Sequence, residues 1–174
     1  MAGTKVKSKF VIGGGAKTDK TIHVMENGND GTGVVGDLTK PFLTLEAARD
    51  AASAGDTIQV WPGTYVLTTT DANGLYTAGV TWYFHPETNI SKSVSGSFFS
   101  GSDIRVLGYG NFTRTGVATG YIFNLSGSSV VEFNNCNSSN AQYIVHISGA
   151  PDTASKVLGR GICRSTGTNA VFST

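Results

Sequence analysis

Short β-rich segments return along this chain at a nearly fixed interval. Ile58-Gln59-Val60, Val80-Thr81-Trp82-Tyr83-Phe84, Ile104-Arg105-Val106-Leu107, Val130-Val131-Glu132-Phe133 and Val157-Leu158 begin 22 to 27 residues apart, a solenoid-like period. A second set is offset from the first: Tyr65-Val66-Leu67, Asn89-Ile90, Tyr121-Ile122-Phe123, Tyr143-Ile144-Val145-His146-Ile147 and Ala170-Val171-Phe172. Between them stand clusters of Gly, Asn, Ser and Asp, the residues that make tight corners. No single repeat can bury its apolar face alone, so successive repeats must stack to build a core. About five coils, each rising roughly 4.8 Å, would make a prism on the order of 24 Å tall. An antiparallel sandwich is the competing fold. It would favour two-residue hairpin turns between neighbouring strands, and here the periodic recurrence is the better signal.

The stretch from Ile22 to Val66 adds a cap to that solenoid. Ile22-His23-Val24 alternates like a strand and is followed by the loop Asn27-Gly28-Asn29-Asp30-Gly31-Thr32-Gly33, then Lys40-Pro41-Phe42. Thr44 suits a helix N-cap, and Leu45, Ala48 and Ala52 fall on one face at helical spacing. Gly55 is expected to stop the helix. Ile58 and Val60 then start a strand, and Pro62-Gly63 turns the chain before Tyr65. The reading is one domain in two parts: residues 1–20 as an extended arm, and 21–174 as the solenoid with a capping helix near 44–53. A length of 174 residues fits a single core.

This ordered string (strand, Gly-Asn-Asp-Gly loop, Lys-Pro-Phe, Ala-rich helix, Gly55-Asp56-Thr57-Ile58, Pro62-Gly63-Thr64-Tyr65) resembles the N-terminal cap and first coil of pectate-lyase-like parallel β-helices. It is closest in character to those of phage tailspikes and tail fibres. The resemblance covers about 45 residues and implies an all-β fold, a right-handed single-stranded parallel β-helix of about five coils. It does not imply an activity, because one fold hosts many functions.

Composition narrows the partners. A formal net charge of +1 argues against an electrostatic grip on nucleic acid or on an anionic membrane. Asp, Glu, Lys and Arg make up 14% of residues, against roughly 25% in ordinary soluble domains. With 39% hydrophobic residues and 10% aromatics the chain is too apolar to be disordered. A surface of small uncharged side chains suits virion, extracellular or sugar-contacting settings. The N-terminus carries Lys5, Lys7 and Lys9 but only the short apolar run Phe10-Val11-Ile12, which is not a secretory signal. The expectation is synthesis in a host cytoplasm and residence in a virion, with a secreted protein as the alternative. Gly13-Gly14-Gly15-Ala16-Lys17-Thr18 is not a phosphate loop, because Ala16 stands where Gly must precede the Lys.

Candidate site residues are few. Trp61, Trp82, Tyr83 and Phe84 recur in consecutive coils; stacked inside the prism they are core, and exposed, Trp82 or Tyr83 would make a sugar platform or a subunit contact. Asn134, Asn135, Asn137 and Asn140 crowd a corner, either to share amide hydrogen bonds in a stack or to present a sugar-binding patch, with Asn134 and Asn137 as its contacts. Asp30 begins like a calcium loop, but the ligand spacing fails, since Leu38 stands twelfth from Asn27. It is read as turn-forming. His23, His85 and His146 have no metal-ligand spacing, and no CxxC pair exists. Cys136 and Cys163 align without gaps, 27 residues apart. Stacked Cα atoms would lie within disulfide reach, but parallel side chains point the same way, and a reducing cytoplasm favours a thiol ladder. Glycosidase chemistry needs two carboxylates across a cleft, and Glu87, Asp103, Glu132 and Asp152 form no evident cluster. No catalytic residue, cofactor or metal is assigned.

The expected function is a phage structural protein, a tail spike, tail fibre or capsid-decorating component, non-catalytic in this segment. Its partners would be copies of itself as a homotrimer, other virion proteins through residues 1–20, and host surface polysaccharide. The alternative is the N-terminal part of a polysaccharide lyase or glycoside hydrolase of the β-helix type.

Overall fold

The computed structural model describes residues 20–116, 120–139, 143–148, 155–165 and 172–173. Fifteen strands and one helix follow in order: β1 (Thr21–Val24), α1 (Leu45–Ala51), β2 (Thr57–Val60), β3 (Gly63–Leu67), β4 (Thr81–Phe84), β5 (Thr88–Lys92), β6 (Phe99–Ser102), β7 (Arg105–Gly108), β8 (Asn111–Arg114), β9 (Tyr121–Ser126), β10 (Val130–Phe133), β11 (Asn135–Ser138), β12 (Tyr143–Ile147), β13 (Lys156–Gly159), β14 (Cys163–Ser165) and β15 (Phe172–Ser173).

These strands form three parallel sheets. Sheet A runs β1-β2-β4-β7-β10-β13, sheet B β14-β11-β8-β5-β3, and sheet C β15-β12-β9-β6. The chain visits A, B and C in turn, which is a parallel β-helix. Four coils carry a strand on all three sides. The coil of β2 and β3 has none on its third side, where Leu75 fills the interior and Gly74 makes an antiparallel bridge to Phe99.

Alternation sets which side chains enter the prism. In sheet A, Ile22, Ile58, Trp82, Val106 and Val131 stack inward in register, and all are buried. Beside them runs Val24, Val60, Phe84 and Gly108. Gly108 has φ +102, and a Cβ there would strike the carbonyl of Phe84, so only glycine fits. The rings of Phe84, Phe99, Phe112 and Phe123 meet edge to face or stacked at 5.1–6.4 Å through the centre.

The cap forms over the first coil as expected, with sharper bounds. Thr44 Oγ1 accepts from the Ala47 amide at 3.2 Å, and Leu45 and Ala48 are buried. Ala52 is half-buried against the same core. The stop is not Gly55. Ala52 itself turns extended (φ −78, ψ 151), and Gly55 serves a later turn at φ +94. Asp30 ties loop to helix: its carboxylate accepts from the amides of Leu43 and Thr44 and from the Thr44 hydroxyl, at 2.7–3.0 Å. Burial pushes its pKa up, but the bonds from Thr44 and Leu43 outweigh that and hold it below its ordinary value.

Two strand assignments need correcting. The offset set of segments belongs to two sheets, with Tyr65 and Asn89 in B and Tyr121 and Tyr143 in C. Of the supposed asparagine corner, Asn135 and Asn137 lie in strand β11 and Asn134 at the bend before it. The cysteines are Cα partners as the gapless alignment predicts, but Val157 pairs with Val131 rather than Val130, so one residue is gained at the corner between. That gain keeps Val131 and Val157 on the same face, where a one-residue slip would flip the strand.

Candidate functional site

The outward columns of sheet A give the chain its most functional-looking surface. His23, Gln59, Tyr83 and Leu107 are successive Cα partners on the outer face, and Glu132 and Leu158 pair farther along the same sheet. A second column lies where each strand ends. The amides of Trp61, His85 and Tyr109 donate to the carbonyls of Val24, Val60 and Phe84, one coil apart, and that of Arg160 to Phe133. The two columns form a strip along the solenoid.

The strip is tightly organised. Trp61 and His85 stack with centroids 4.4 Å apart and planes at 10°. Trp61 Nε1 donates to His23 Nδ1 at 3.2 Å, which assigns the neutral His23 ring its proton on Nε2. Tyr83 meets His85 edge to face at 5.1 Å. Burial, and then the nearby His85, lower the His23 pKa, and burial lowers that of His85. Both imidazoles are therefore neutral at pH 7. Arg160 lies over the Tyr109 ring at 5.1 Å and donates to Glu132 at 3.2 Å. Ring faces are thus largely spent within the stack, which presents edges and polar tips to solvent. Gln59 and the hydroxyls of Tyr83 and Tyr109 have no hydrogen-bond partner among the described residues.

The expected site residues separate. Trp82 is 2% exposed and packs on Phe84 and Phe99, so it is core and no surface contact; the inward phase of β4 decides this. Tyr83, one residue on, faces out in the strip. Asn134 is bound into a ladder: its Nδ2 and that of Asn135 both donate to Asn111 Oδ1, at 3.1 and 2.8 Å, and Asn111 Nδ2 donates to Asn89 Oδ1 at 3.2 Å. Those amides are occupied with one another, as the structural reading of the cluster has it. Asn137 is exposed on sheet B between Thr113 and Arg164, beside a groove of about 240 Å3 that Thr115 and Ser139 also line. Asn140, like the carboxylate Asp152, lies outside the described residues. Trp61, His85 and Tyr109 stand 24 residues apart in the sequence, one coil length; that spacing was the signal that would have found them.

Other chemistry is dispersed. Asp103 caps a corner, accepting from the Ser128 amide at 2.8 Å, while Glu132 is in mid-strand with Arg160. The two do not face each other across a cleft. Among the described residues no three of His, Cys, Asp and Glu gather as metal ligands, and no helix is long and apolar enough to cross a membrane. Cys136 and Cys163 are free thiols stacked in register. Burial, with the bond it makes to Cys163, pushes the Cys136 thiol well up; that same bond lowers Cys163 against the effect of burial.

No family model matches the chain, and no curated protein matches it. Among solved structures, a rhamnogalacturonan lyase is similar over 84% of this chain at 16% identity, with a TM-score of 0.39. The chain spans about half of that lyase, 51% of its length.

Proposed function

We propose that this β-helix is a binding module that contacts polysaccharide through the sheet A strip and serves attachment to a cell surface. The observation that carries the reading is a set of side-chain groups without a hydrogen-bond partner among the described residues: Gln59 and Tyr83, one coil apart in the first column, and the Tyr109 hydroxyl in the second, beside the aromatic stack. Saccharides offer repeated hydroxyls, and the Gln59 amide and the Tyr83 and Tyr109 hydroxyls can donate to and accept from them. Preorganisation on a sheet lowers the ordering cost of binding. Of the candidate carboxylates, Asp103 is engaged at its corner and Glu132 with Arg160, which supports a non-catalytic role for these two. The setting proposed for the module is a virion, as a tail spike, tail fibre or decorating component. The resemblance of its cap motif and its charge-poor surface support that setting.

The test is retention on a panel of bacterial surface polysaccharides. At least one should bind the full chain, and Tyr83→Ala and Tyr109→Ala should each weaken binding about tenfold or more with an unchanged melting temperature. Release of reducing ends and of unsaturated sugar should stay at background. Failure to retain any polysaccharide would overturn the proposal. Turnover abolished by changing Asp103 or Glu132 would replace it with a polysaccharide-cleaving enzyme.

A further inference from the structure

Two thiols meet where sheet B ends among the described residues. Cys136 of β11 and Cys163 of β14 are Cα partners, and β14 is the outermost strand of that sheet. Both side chains continue the inward column of Tyr65, Ile90 and Phe112. Cys136 is fully buried, whereas Cys163 is half-buried and packs against the edge of the core. A small reagent therefore meets Cys163 first. The backbone locks the two strands in register. The Cys136 amide donates to the Ile162 carbonyl at 3.1 Å, the Gly161 amide to the Asn134 carbonyl at 2.7 Å, and the Ile162 amide to Asn135 Oδ1 at 2.8 Å.

Neighbouring strands lie roughly 4.8 Å apart, and Cα atoms about 4.4–6.8 Å apart can carry a disulfide. The backbone spacing is therefore already within reach. Side chains that merely ran parallel would hold the sulfurs apart, but Cys136 donates a hydrogen bond to Cys163, so the sulfurs face each other. That bond also separates their chemistry. It lowers the accepting Cys163 thiol against the effect of burial, while burial, and then the bond, push Cys136 well up. The thiolate is the nucleophile. The accessible member of the pair is thus the reactive one, and the covered member keeps its proton beside it.

We propose that Cys163 and Cys136 are a hydroperoxide-reactive pair that closes to a disulfide between β14 and β11. In the first step the Cys163 thiolate attacks one peroxide oxygen and the O–O bond breaks. Cys163 becomes a sulfenic acid, and the departing hydroxide or alkoxide takes up the proton that Cys163 released. The Cys136 sulfur then attacks the sulfenic sulfur. An S–S bond forms, the S–O bond breaks, and the hydroxyl leaves as water with the Cys136 proton. The two thiols together give up two electrons, and one hydroperoxide accepts them. No strand has to slide, because the register already pairs the two residues. The link ties one coil to the next across residues 27 apart in the sequence, and such a closed loop restrains unfolding of that end of the sheet. The assignment is independent of the polysaccharide reading.

Mass spectrometry of the full chain tests it, after reduction, removal of the reductant, a small excess of hydrogen peroxide and blocking with N-ethylmaleimide. The expected product is a monomer two hydrogens lighter, with neither thiol alkylated and the Cys136 and Cys163 peptides linked. Dithiothreitol should return both thiols to alkylation. Cys136→Ala should stop the reaction at a sulfenic acid on Cys163, trapped by dimedone. Cys163→Ser should slow oxidation of Cys136 about tenfold or more. If either variant fails to fold, the unmodified chain decides alone. Sulfinic acid on Cys163 with Cys136 still free, linkage only between molecules, or two unreacted thiols would each defeat the proposal.

Discussion

Two residues in the core break the usual rule for charge. Lys92 and Arg114 are fully buried Cα partners in sheet B, on the inward side, and among the described residues no carboxylate forms an ion pair with either. Their partners are main-chain carbonyls. Lys92 Nζ donates to Ser97, and Arg114 donates to Val94, Gly96 and Tyr121, with Phe98 beneath its guanidinium. The cations thus satisfy carbonyls of the loop between β5 and β6, with Arg114 also reaching the start of β9 at Tyr121. Desolvation is the cost. It pushes the Lys92 pKa down to about 8 from 10.5, with Arg114 adding to the shift. Below pH 8 both folded and unfolded chains carry the proton, and the cost of the buried charge is present in full. Between about pH 8 and 10 the folded Lys92 loses its proton while the unfolded one keeps it, so stability rises with pH. Tyr65, pushed up to about 12 chiefly by burial, acts in the opposite direction only above its ordinary value near pH 10. Urea midpoints taken from pH 7.5 to 9, before the buried Cys136 thiol begins to oppose the trend, should therefore climb for the unmodified chain. They should climb less for Lys92→Met; an identical slope in both would remove Lys92 as the source.

At the scale of elements, α1 is too short to hold itself and depends on what it covers. Leu45→Asp would place an unpaired carboxylate in a site 1% exposed, costing several kcal/mol, and the melting temperature should fall accordingly. The asparagine ladder makes a finer test. Asn111 makes four side-chain bonds, to Thr88, Asn89, Asn134 and Asn135, so Asn111→Ala should cost about 1–3 kcal/mol in chemical denaturation. Asn137→Ala, exposed and without such bonds, should stay within about 0.5 kcal/mol. The same contrast explains what could be read in the sequence. Sheet A was legible because Ile58, Trp82, Val106 and Val131 alternate with polar residues and recur at the coil period. Strands β8 (Asn-Phe-Thr-Arg) and β11 (Asn-Cys-Asn-Ser) were not, because their asparagines have poor strand propensity and are held extended by partners 22 or 24 positions away. Asp30 was legible as a loop former, but its role as the clamp on Thr44 depends on a contact 14 residues distant. For the site, Tyr83 could be picked as a candidate and separated from Trp82 only by the phase of β4, whereas His85 and Tyr109 draw their meaning from Trp61 one coil below.

On the scale of the molecule, the outer faces of sheets A and B differ in what they can bury. Sheet A carries Arg105, Glu132 and Lys156 beside its aromatic strip. Sheet B presents Asn89, Asn111 and Asn135 in one column and Ser91, Thr113 and Asn137 in the next, with Arg164 as the charged residue at its end. Prisms packed side by side through sheet B would bury small uncharged groups and few ions, avoiding the desolvation cost of unpaired charge. A small solenoid also has much surface for its core, and association offsets that. We therefore expect a homotrimer joined through sheet B, which leaves the sheet A strip on the outside for a ligand. Light scattering at micromolar concentration should give three times the 18.1 kDa mass of the chain. Thr113→Lys and Asn137→Lys each place a charge in the centre of the joined face and should yield monomers. Gln59→Lys, on sheet A, should leave the assembly intact. A well-folded monomer of the unmodified chain would defeat the trimer, and a trimer broken by Gln59→Lys but not by Thr113→Lys would move the interface to sheet A.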